Sequence, residues 1–226
     1  MAISLARQAG EVISLPKNPS DMFSVVAHRL GITPAAARFE KHAEVYWEDG
    51  PADHVYQVVS GAIRNYKLLS DGRCQITAFY LPGDVFGYDG EDQRQTSADA
   101  IADTSVRTVK RRLLENAATS DLTVAHYLLD LATENLKHQR DQIILLGRKT
   151  AAERVAAFLL EMDSRLKGDE SMPLPMCRRD IGDYLGLTLE TVSRVLSLLH
   201  GAGVLDFAGA RHITLRNRTQ LLNMEH

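Results

Sequence analysis

Residues 176–203 read MCRRDIGDYLGLTLETVSRVLSLLHGAG, and this stretch decides how the C-terminal part of the chain folds. Its apolar residues recur three and four positions apart, which predicts two helices, Arg178–Leu185 and Leu189–His200. Gly186 ends the first helix, because glycine readily adopts the left-handed conformation by which a chain leaves a helix. Thr188 caps the second helix, since its hydroxyl oxygen can accept a hydrogen bond from an unpaired backbone N–H of the first turn. The pattern is that of a helix-turn-helix.

The second helix carries a polar outer face. Its apolar residues must face the core of the domain, and they are Val192, Val195, Leu196 and Leu199. Glu190 and Arg194 lie four residues apart on the opposite face, with Ser193 beside them. A glutamate can accept a hydrogen bond from the exocyclic amine of cytosine, and an arginine can donate two to guanine. This face therefore predicts base reading in the major groove of DNA. The alternative is an ordinary amphipathic hairpin with a surface ion pair, which contributes less than about 1 kcal/mol.

Two segments with alternating apolar and polar residues follow the second helix. They are Val204–Phe207 and His212–Leu215, with Gly209 in the turn between them. Such alternation on both sides of a glycine turn predicts a β-hairpin. A hairpin directly after the second helix is a wing, so we expect a winged helix-turn-helix.

Residues 180–194, DIGDYLGLTLETVSR, resemble the DNA-reading segment of the CRP/FNR superfamily, and specifically of its FixK branch. The Glu-x-x-Ser-Arg triplet of that family is matched by Glu190, Ser193 and Arg194. The resemblance implies a homodimeric transcription activator that binds double-stranded DNA at palindromic sites with TTGA-type half-sites. It also implies contacts with RNA polymerase and a role in microaerobic or nitrogen-fixation gene control. The expected DNA-binding residues are Arg178, Arg179, Thr188, Leu189, Glu190, Ser193 and Arg194.

The segment from about Ala43 to Lys110 has a β pattern. Short strand-like stretches are separated by turn signals such as Ser70-Asp71-Gly72 and Leu81-Pro82-Gly83-Asp84, which predicts a closed sandwich or jelly roll. The stretch also resembles the β-roll of cyclic-nucleotide-binding domains, through Tyr56…Ser60-Gly61…Arg64 and Leu81-Pro82-Gly83-Asp84-Val85-Phe86-Gly87.

The resemblance also indicates which residues a bound nucleotide would need. In the cyclic-AMP receptors a glutamate follows the Phe-Gly pair, and an Arg-Ser pair holds the cyclic phosphate. Here Tyr88 follows Phe86-Gly87, Thr96 stands at the arginine position, and Arg94 is two residues out of register. Without that cation, the negative charge of a buried phosphate would have no counter-charge, at a cost of several kcal/mol.

The chain lacks the residues that hold the other effectors of the superfamily. The iron–sulfur cluster of the FNR branch needs four cysteines, and the chain has two, Cys74 and Cys177. The haem-dependent members use a histidine after the roll phenylalanine, where this chain has Gly87-Tyr88-Asp89-Gly90. We therefore expect no cofactor, no metal site and no bound effector. The alternative is a module whose DNA binding requires a small ligand.

Residues 110–147 are predicted to form one long dimerisation helix. The residues assigned to the dimer interface are Val124, Leu128, Leu131, Asn135, His138, Gln142 and Leu145. A second stripe contains Leu129, Leu136 and Ile143. A helix with two apolar stripes can pack on its own domain with one and on a partner with the other, and a twofold dimer would present two winged domains to successive major grooves. The alternative is a monomer that buries both stripes.

These features predict an α+β chain in four parts. The expected parts are a flexible N-terminal arm (1–20), a sensor-like β-roll (21–109), the dimerisation helix (110–147) and the winged helix-turn-helix (148–226). Thr33-Pro34 is expected to begin a helix, because proline suits a first helical turn. Gly147-Arg148-Lys149-Thr150 is expected to be the hinge before the DNA-binding domain.

Composition limits the function classes. Apolar residues at 45% and charged residues at 24% are ordinary globular values. A net charge of −3 argues against indiscriminate nucleic-acid binding. We expect a cytoplasmic protein with no membrane partner, since no run approaches the ~20 apolar residues of a membrane span and no signal pattern opens the chain. No catalytic motif is visible, so an enzyme is not expected.

Cys177 is a candidate redox-sensitive residue. It lies at the predicted start of a helix, next to Arg178 and Arg179, and both features favour a thiolate. A helix start in such a fold usually lies near the phosphate backbone of DNA. Oxidation to a more acidic form would then repel phosphate and weaken binding. The alternative is an inert, small apolar residue.

Overall fold

The computed structural model of the chain describes residues 19–166, 171–209 and 211–225. In chain order the elements are α1 (Pro19–Arg29), β1 (Ala35–Phe39), β2 (Glu44–Tyr46), β3 (His54–Ser60), β4 (Ile63–Leu68), β5 (Cys74–Tyr80), β6 (Val85–Phe86), β7 (Ser97–Ala100), β8 (Thr104–Lys110), α2 (Arg111–Ala118), α3 (Leu122–Arg148), α4 (Ala151–Leu166), β9 (Met172–Pro173), α5 (Arg178–Leu185), α6 (Leu189–Gly201), β10 (Leu205–Phe207), β11 (His212–Leu215) and α7 (Arg218–Glu225). Of the arm expected at 1–20, residues 1–18 lie outside the described residues, and Pro19 and Ser20 already belong to α1.

The N-terminal half is a β-roll of two four-stranded antiparallel sheets. Their strand orders are β1-β8-β3-β6 and β2-β7-β4-β5. Strand β3 alternates between half-buried and buried positions from His54 to Gln57, as a strand with one face on a core should. The side chains between the sheets include Val58, Ile63, Phe86 and Val106, all of them buried. The predicted jelly-roll-like fold is therefore confirmed.

Strand β1 differs from the helix that the sequence predicts after Thr33-Pro34. The segment Ala35–Phe39 pairs antiparallel with β8, and Ala37 lies opposite Val106. Proline at a helix start is a local signal, whereas strand formation depends on the neighbouring strand that supplies the hydrogen bonds. The pairing with β8 overrides the local signal here.

The segment 110–147 contains two helices, not one. Lys110 ends β8, α2 stops at Ala118, and α3 begins at Leu122. The side chain of Asp121 caps the new helix by accepting a hydrogen bond from the backbone N–H of Thr123, at 2.9 Å. Helix α3 continues to Arg148, so the first two residues of the expected hinge 147–150 belong to this helix. Only residues 149–150 lie between α3 and α4.

The stripe of α3 that was predicted to face a partner is largely covered by the chain itself. Val124 and Leu128, which the sequence analysis assigned to a dimer interface, are buried against α1, α2 and the roll of the same chain. Their interface assignment is wrong, because 3–4 spacing identifies an apolar face but not what covers it. The other assigned residues also lie on this side: Leu131 and Leu145 pack on the chain's own cores, His138 Nε2 lies 3.1 Å from the Thr77 carbonyl, Gln142 is buried, and Asn135 is exposed.

The open face of α3 is the stripe that continues from Leu129, Leu136 and Ile143 back to Leu122. These four residues recur every seven positions, and their side chains are 76% (Leu122), 61% (Leu129), 71% (Leu136) and 71% (Ile143) exposed in the single chain. None of the described helices is both long and apolar enough to span a bilayer.

The C-terminal domain is a winged helix-turn-helix. Helices α4, α5 and α6 pack with a three-stranded sheet in the order β10-β11-β9, and α7 packs on α4. Gly186 ends α5 with φ +61°, as predicted. A side chain at Gly182 has no room, since a Cβ there would lie 2.7 Å from the backbone oxygen of Leu187. The turn between the two helices therefore sits directly on α5.

Candidate nucleic-acid interface

Helix α6 turns its polar face outward, in the orientation that the sequence predicts. Val192, Val195, Leu196 and Leu199 are buried, whereas Glu190 and Arg194 are exposed. Leu189 is also exposed, at the start of the helix. The guanidinium of Arg194 has no hydrogen bond or ion pair within the part of the chain that the structure describes. Its five donors are thus free for an external acceptor.

The start of α6 favours an ionised carboxylate at Glu190. Thr188 caps the helix by accepting a hydrogen bond from the backbone N–H of Thr191, at 3.2 Å. Hydrogen bonds from the backbone N–H of Glu190 and from the Thr188 side chain lower the pKa of Glu190, and the charge of Arg179 lowers it further. An ionised carboxylate at this position can accept a hydrogen bond from a base amine.

Arg178 and Arg179 occupy different environments, although both are predicted DNA contacts. Arg179 is exposed at the first turn of α5. Arg178 is half-buried, and its guanidinium lies over the ring of Phe207 in the wing, 5.4 Å from the ring centroid. Its Nη1 also lies 3.4 Å from the hydroxyl oxygen of Ser193. Arg178 therefore joins α5, α6 and the wing, and Ser193 has a protein neighbour.

Cys177 is the residue that immediately precedes α5. It is half-buried, and its backbone N–H donates a hydrogen bond to the Asp180 carboxylate at 2.8 Å. Asp180 is not among the predicted site residues, although an acidic residue at the third position of a helix is a recognised capping signal. The geometry ties the backbone at Cys177 to a buried carboxylate.

The interior of the roll is occupied by Arg94. Its side chain is 1% exposed, and its guanidinium donates hydrogen bonds to the carbonyls of Gly87 and His54, both at 2.6 Å. It also lies 4.2 Å from the centroid of the Tyr46 ring and pairs with Asp89 at 3.1 Å. The sequence shows this arginine two residues out of register, but nothing in the spacing reveals that it is buried. Its two terminal nitrogens therefore already serve the chain itself, whereas its buried Nε has no hydrogen-bond partner among the described residues.

The structure shows no group of histidine, cysteine, aspartate or glutamate residues that could hold a metal ion, within the residues it describes. Cys74 and Cys177 are both free thiols, in the roll and in the DNA-binding domain respectively.

Two family models match the chain, one in each half. Residues 36–121 match the cyclic nucleotide-binding domain, and residues 153–224 match the Crp-like helix-turn-helix domain. The second match includes α5, α6 and the wing, and so covers the exposed pair Glu190 and Arg194.

Full-length relatives extend this similarity to both halves together. The chain is 40% identical over 198 residues to the nitrogen fixation regulation protein FixK of Azorhizobium caulinodans, covering 85% of this chain and 79% of that protein. It is 36% identical over 197 residues to the protein of the same name in Rhizobium meliloti, covering 85% of this chain and 90% of that protein. Among solved structures, FixK2 from Bradyrhizobium japonicum is 58% identical, with a TM-score of 0.85 and coverage of 86% of this chain and 98% of that chain.

Proposed function

Since the chain belongs to the FixK branch of the CRP/FNR superfamily of transcription regulators, we propose that it activates nitrogen-fixation and microaerobic genes. In this proposal it binds double-stranded DNA at palindromic TTGA-type sites as a homodimer, and contacts RNA polymerase from there. Its relatives are regulators rather than enzymes.

The observation that carries the proposal is the pair Glu190 and Arg194 on the exposed face of α6. The carboxylate is held ionised at the helix start, and the guanidinium has no partner among the described residues. The free guanidinium of Arg194 can donate two hydrogen bonds to guanine. The neighbouring carboxylate of Glu190 can accept a hydrogen bond from the amine of the paired cytosine. Thr188, Leu189, Ser193 and Arg179 surround the pair and would position it by contacts to the backbone and neighbouring bases.

A second copy of this chain is the occupant that we propose for the exposed stripe Leu122, Leu129, Leu136 and Ile143. Apolar residues that recur every seven positions stay on one seam when two helices wind around each other. Four large aliphatic side chains on one face of a helix are an unusual surface for a monomer to leave open. The proposed interface therefore replaces the stripe predicted from the sequence, most of which the chain itself covers.

We propose that the roll works without a bound effector. A cyclic phosphate would require a cationic side chain at the position that Thr96 occupies. The nearby Arg94 already donates hydrogen bonds to the carbonyls of Gly87 and His54 and to the Asp89 carboxylate. Freeing Arg94 would leave those buried carbonyls without donors, at a cost of about 1–3 kcal/mol each.

Redox control through Cys177 remains part of the proposal. The thiol lies at the start of α5, close in sequence to the exposed Arg179, where phosphate is expected. Peroxide treatment should lower the DNA affinity of the wild type and leave that of Cys177→Ala unchanged. Cys74→Ala is the matched control and should remain as sensitive as the wild type. Equal sensitivity of all three proteins would end the redox hypothesis.

The main test is a mobility-shift titration with pure protein and no added ligand, on a duplex that carries a TTGA-type palindrome, at several salt concentrations. We expect binding that weakens linearly with salt on a log–log plot. Arg194→Ala should lower affinity for the palindrome by about 1–3 kcal/mol, and Glu190→Ala should relax base preference by a similar amount. Arg73→Ala, in the exposed β4–β5 turn, is the control and should bind normally.

Two outcomes would contradict this proposal in different ways. Equal affinity for the palindrome and for a scrambled duplex would remove sequence-specific binding. Specific binding that appears only after a cell extract or a cyclic nucleotide is added would favour the alternative, a ligand-gated module.

A further inference from the structure

We propose that four side chains outside the helix-turn-helix, Arg64, Gln75, Gln142 and Arg154, lock α5 to the rest of the chain and so set the half-site spacing that the dimer accepts. We call these four residues the clasp. Spacing has meaning only for a dimer on DNA, so this inference rests on the proposed function.

The first half of the clasp holds the N-terminal end of α5. The Nε and Nη2 of Arg64, in β4, donate to the two carboxylate oxygens of Asp99 in β7, at 2.7 and 2.8 Å. Its Nη1 donates to Asp180 of α5 at 2.7 Å. The other oxygen of Asp180 accepts from the backbone N–H of Cys177 at 2.8 Å. A continuous chain of charge-assisted hydrogen bonds thus runs from the roll to the first turn of α5.

The second half of the clasp holds the C-terminal end of α5. The last carbonyls of a helix have no partner within the helix, and here three other elements supply donors. The contacts are Gln75 Nε2 to the Asp183 carbonyl (2.9 Å), Gln142 Nε2 to the Tyr184 carbonyl (2.9 Å) and Arg154 Nη1 to the Leu185 carbonyl (2.9 Å). These donors come from β5, α3 and α4. Both ends of α5 are therefore fixed from outside the helix-turn-helix.

Aromatic packing supports the clasp across the same boundary. The ring of Phe79, in β5, lies 5.1 Å from that of Tyr184 and 6.3 Å from that of Phe158. Beside it, Arg165 of α4 donates to the Asp84 carboxylate at 2.6 Å and to the Phe79 carbonyl at 2.7 Å. The roll and the DNA-binding domain thus share one apolar core.

The position of the clasp determines what it restrains. Only residues 149–150 separate α3 from α4, so rotation of the DNA-binding domain would occur there. Arg154 crosses this junction by donating to the carbonyls of Lys149 and Leu146, at 2.9 and 2.8 Å. Since α3 also carries the proposed dimer stripe, the clasp fixes α5 and α6 relative to the twofold axis. A specific half-site spacing follows from that fixed geometry.

Removal of Arg64 should release this restraint. Asp99 and Asp180 would then face each other across the boundary without the cation that pairs with both, and like charges repel. The DNA-binding domain would then sample orientations that do not fit the palindrome. The apparent affinity would fall in proportion to the fraction of molecules that remains competent to bind. Arg64 is thus a positioning residue, which acts through α5 rather than by touching DNA.

The test is a series of TTGA-type palindromes whose central spacer is natural, one base pair shorter or one base pair longer. One base pair turns a half-site by about 35° relative to the other. We expect the full-length wild type to lose about tenfold or more in affinity on the altered spacers. Arg64→Ala should lose about tenfold on the natural spacer and show less than about threefold difference among the three. Arg73→Ala, in the adjacent turn, should keep the wild-type spacing profile.

Trypsin cleavage without DNA provides a second readout. Arg148 is exposed beside the junction, and release of the clasp should accelerate cleavage after it severalfold, with the wild type and Arg73→Ala as references. Gln75→Ala removes the contacts to the Asp183 and Tyr184 carbonyls without removing a charge, and it serves if Arg64→Ala does not fold. It should flatten the spacing profile in the same direction.

The outcomes separate this inference from the proposed function. A folded Arg64→Ala protein, or Gln75→Ala in its place, with the wild-type spacing profile and cleavage rate would overturn the clasp. A wild type that binds no palindrome would contradict the proposed function. An unchanged cleavage rate in the variants would reject the clasp, whatever the result with DNA.

Discussion

Replacement of Leu136 by alanine should dissociate the proposed dimer. Leu136 lies in the middle of the exposed stripe of α3, and 71% of its side chain is open in the single chain. Full burial of a leucine contributes about 1.5–3 kcal/mol, so a partner that covered the open part would gain about 1–2 kcal/mol per copy. Twofold symmetry doubles the loss to about 2–4 kcal/mol, which weakens the dimer roughly 30- to 1,000-fold.

Sedimentation equilibrium over a wide concentration range measures this change directly. Leu113→Ala is the matched control, since Leu113 is an exposed leucine of α2 that lies outside the stripe. It should dimerise like the wild type. Circular dichroism of Leu136→Ala should match that of the wild type, because the side chain makes little contact within its own chain. A dissociation constant within threefold of the wild-type value would refute the assignment of this stripe to the partner.

Three further predictions concern the interior, the turn and the reading face. Arg94→Ala should lower the free energy of unfolding in urea by about 3–5 kcal/mol, because it leaves buried carbonyl acceptors and one carboxylate without their cation. Arg107→Ala, on the exposed side of β8, should stay within about 0.5 kcal/mol of the wild type. Gly182→Ala should cost about 1–3 kcal/mol in unfolding free energy, because the Leu187 backbone oxygen must move, whereas Gly201→Ala, which faces open space, should be neutral or slightly stabilising. Because hydrogen bonds at the helix start lower the pKa of Glu190, its carboxylate remains ionised as the pH falls from about 7.5 to 5.5; the preference of the wild type over Glu190→Ala for the intact half-site should be constant across that range, and a preference lost above about pH 6 would contradict it.

The helix-turn-helix could be predicted in detail because its signals are local. Gly186 leaves α5 in the left-handed conformation, and Thr188 caps α6, through chemistry that each residue carries within one helical turn. The outward direction of Glu190 and Arg194 followed from the four apolar residues that α6 must bury. The break before α3 was also within reach of sequence reasoning, since Asp121 is a strong capping residue.

Features that depend on distant parts of the chain could not be predicted. Strand β1 exists because β8 supplies its hydrogen bonds. Arg94 is buried because Tyr46, His54 and Gly87 converge around it, and no spacing in the sequence brings those residues together. The choice between the two stripes of α3 likewise depended on which side α1, α2 and the roll cover.

The composition of the two stripes explains this division of α3. The covered stripe includes His138 and Gln142, whose side chains lie within hydrogen-bond distance of the backbone carbonyls of Thr77 and Tyr184. The exposed stripe is purely aliphatic. A helix that contacts its own domains must satisfy their unpaired backbone groups, whereas a symmetric seam between two copies can be filled by apolar side chains alone.

Gln142 and Ile143 are neighbours in sequence, yet one holds the last turn of α5 and the other belongs to the proposed dimer seam. The register of the two α3 helices would therefore be transmitted through a single residue step to the position of α5, and from α5 to α6. If the roll works without a bound effector, as proposed above, such a rigid path is needed, because no ligand energy would then move the two DNA-reading helices of the proposed dimer into place.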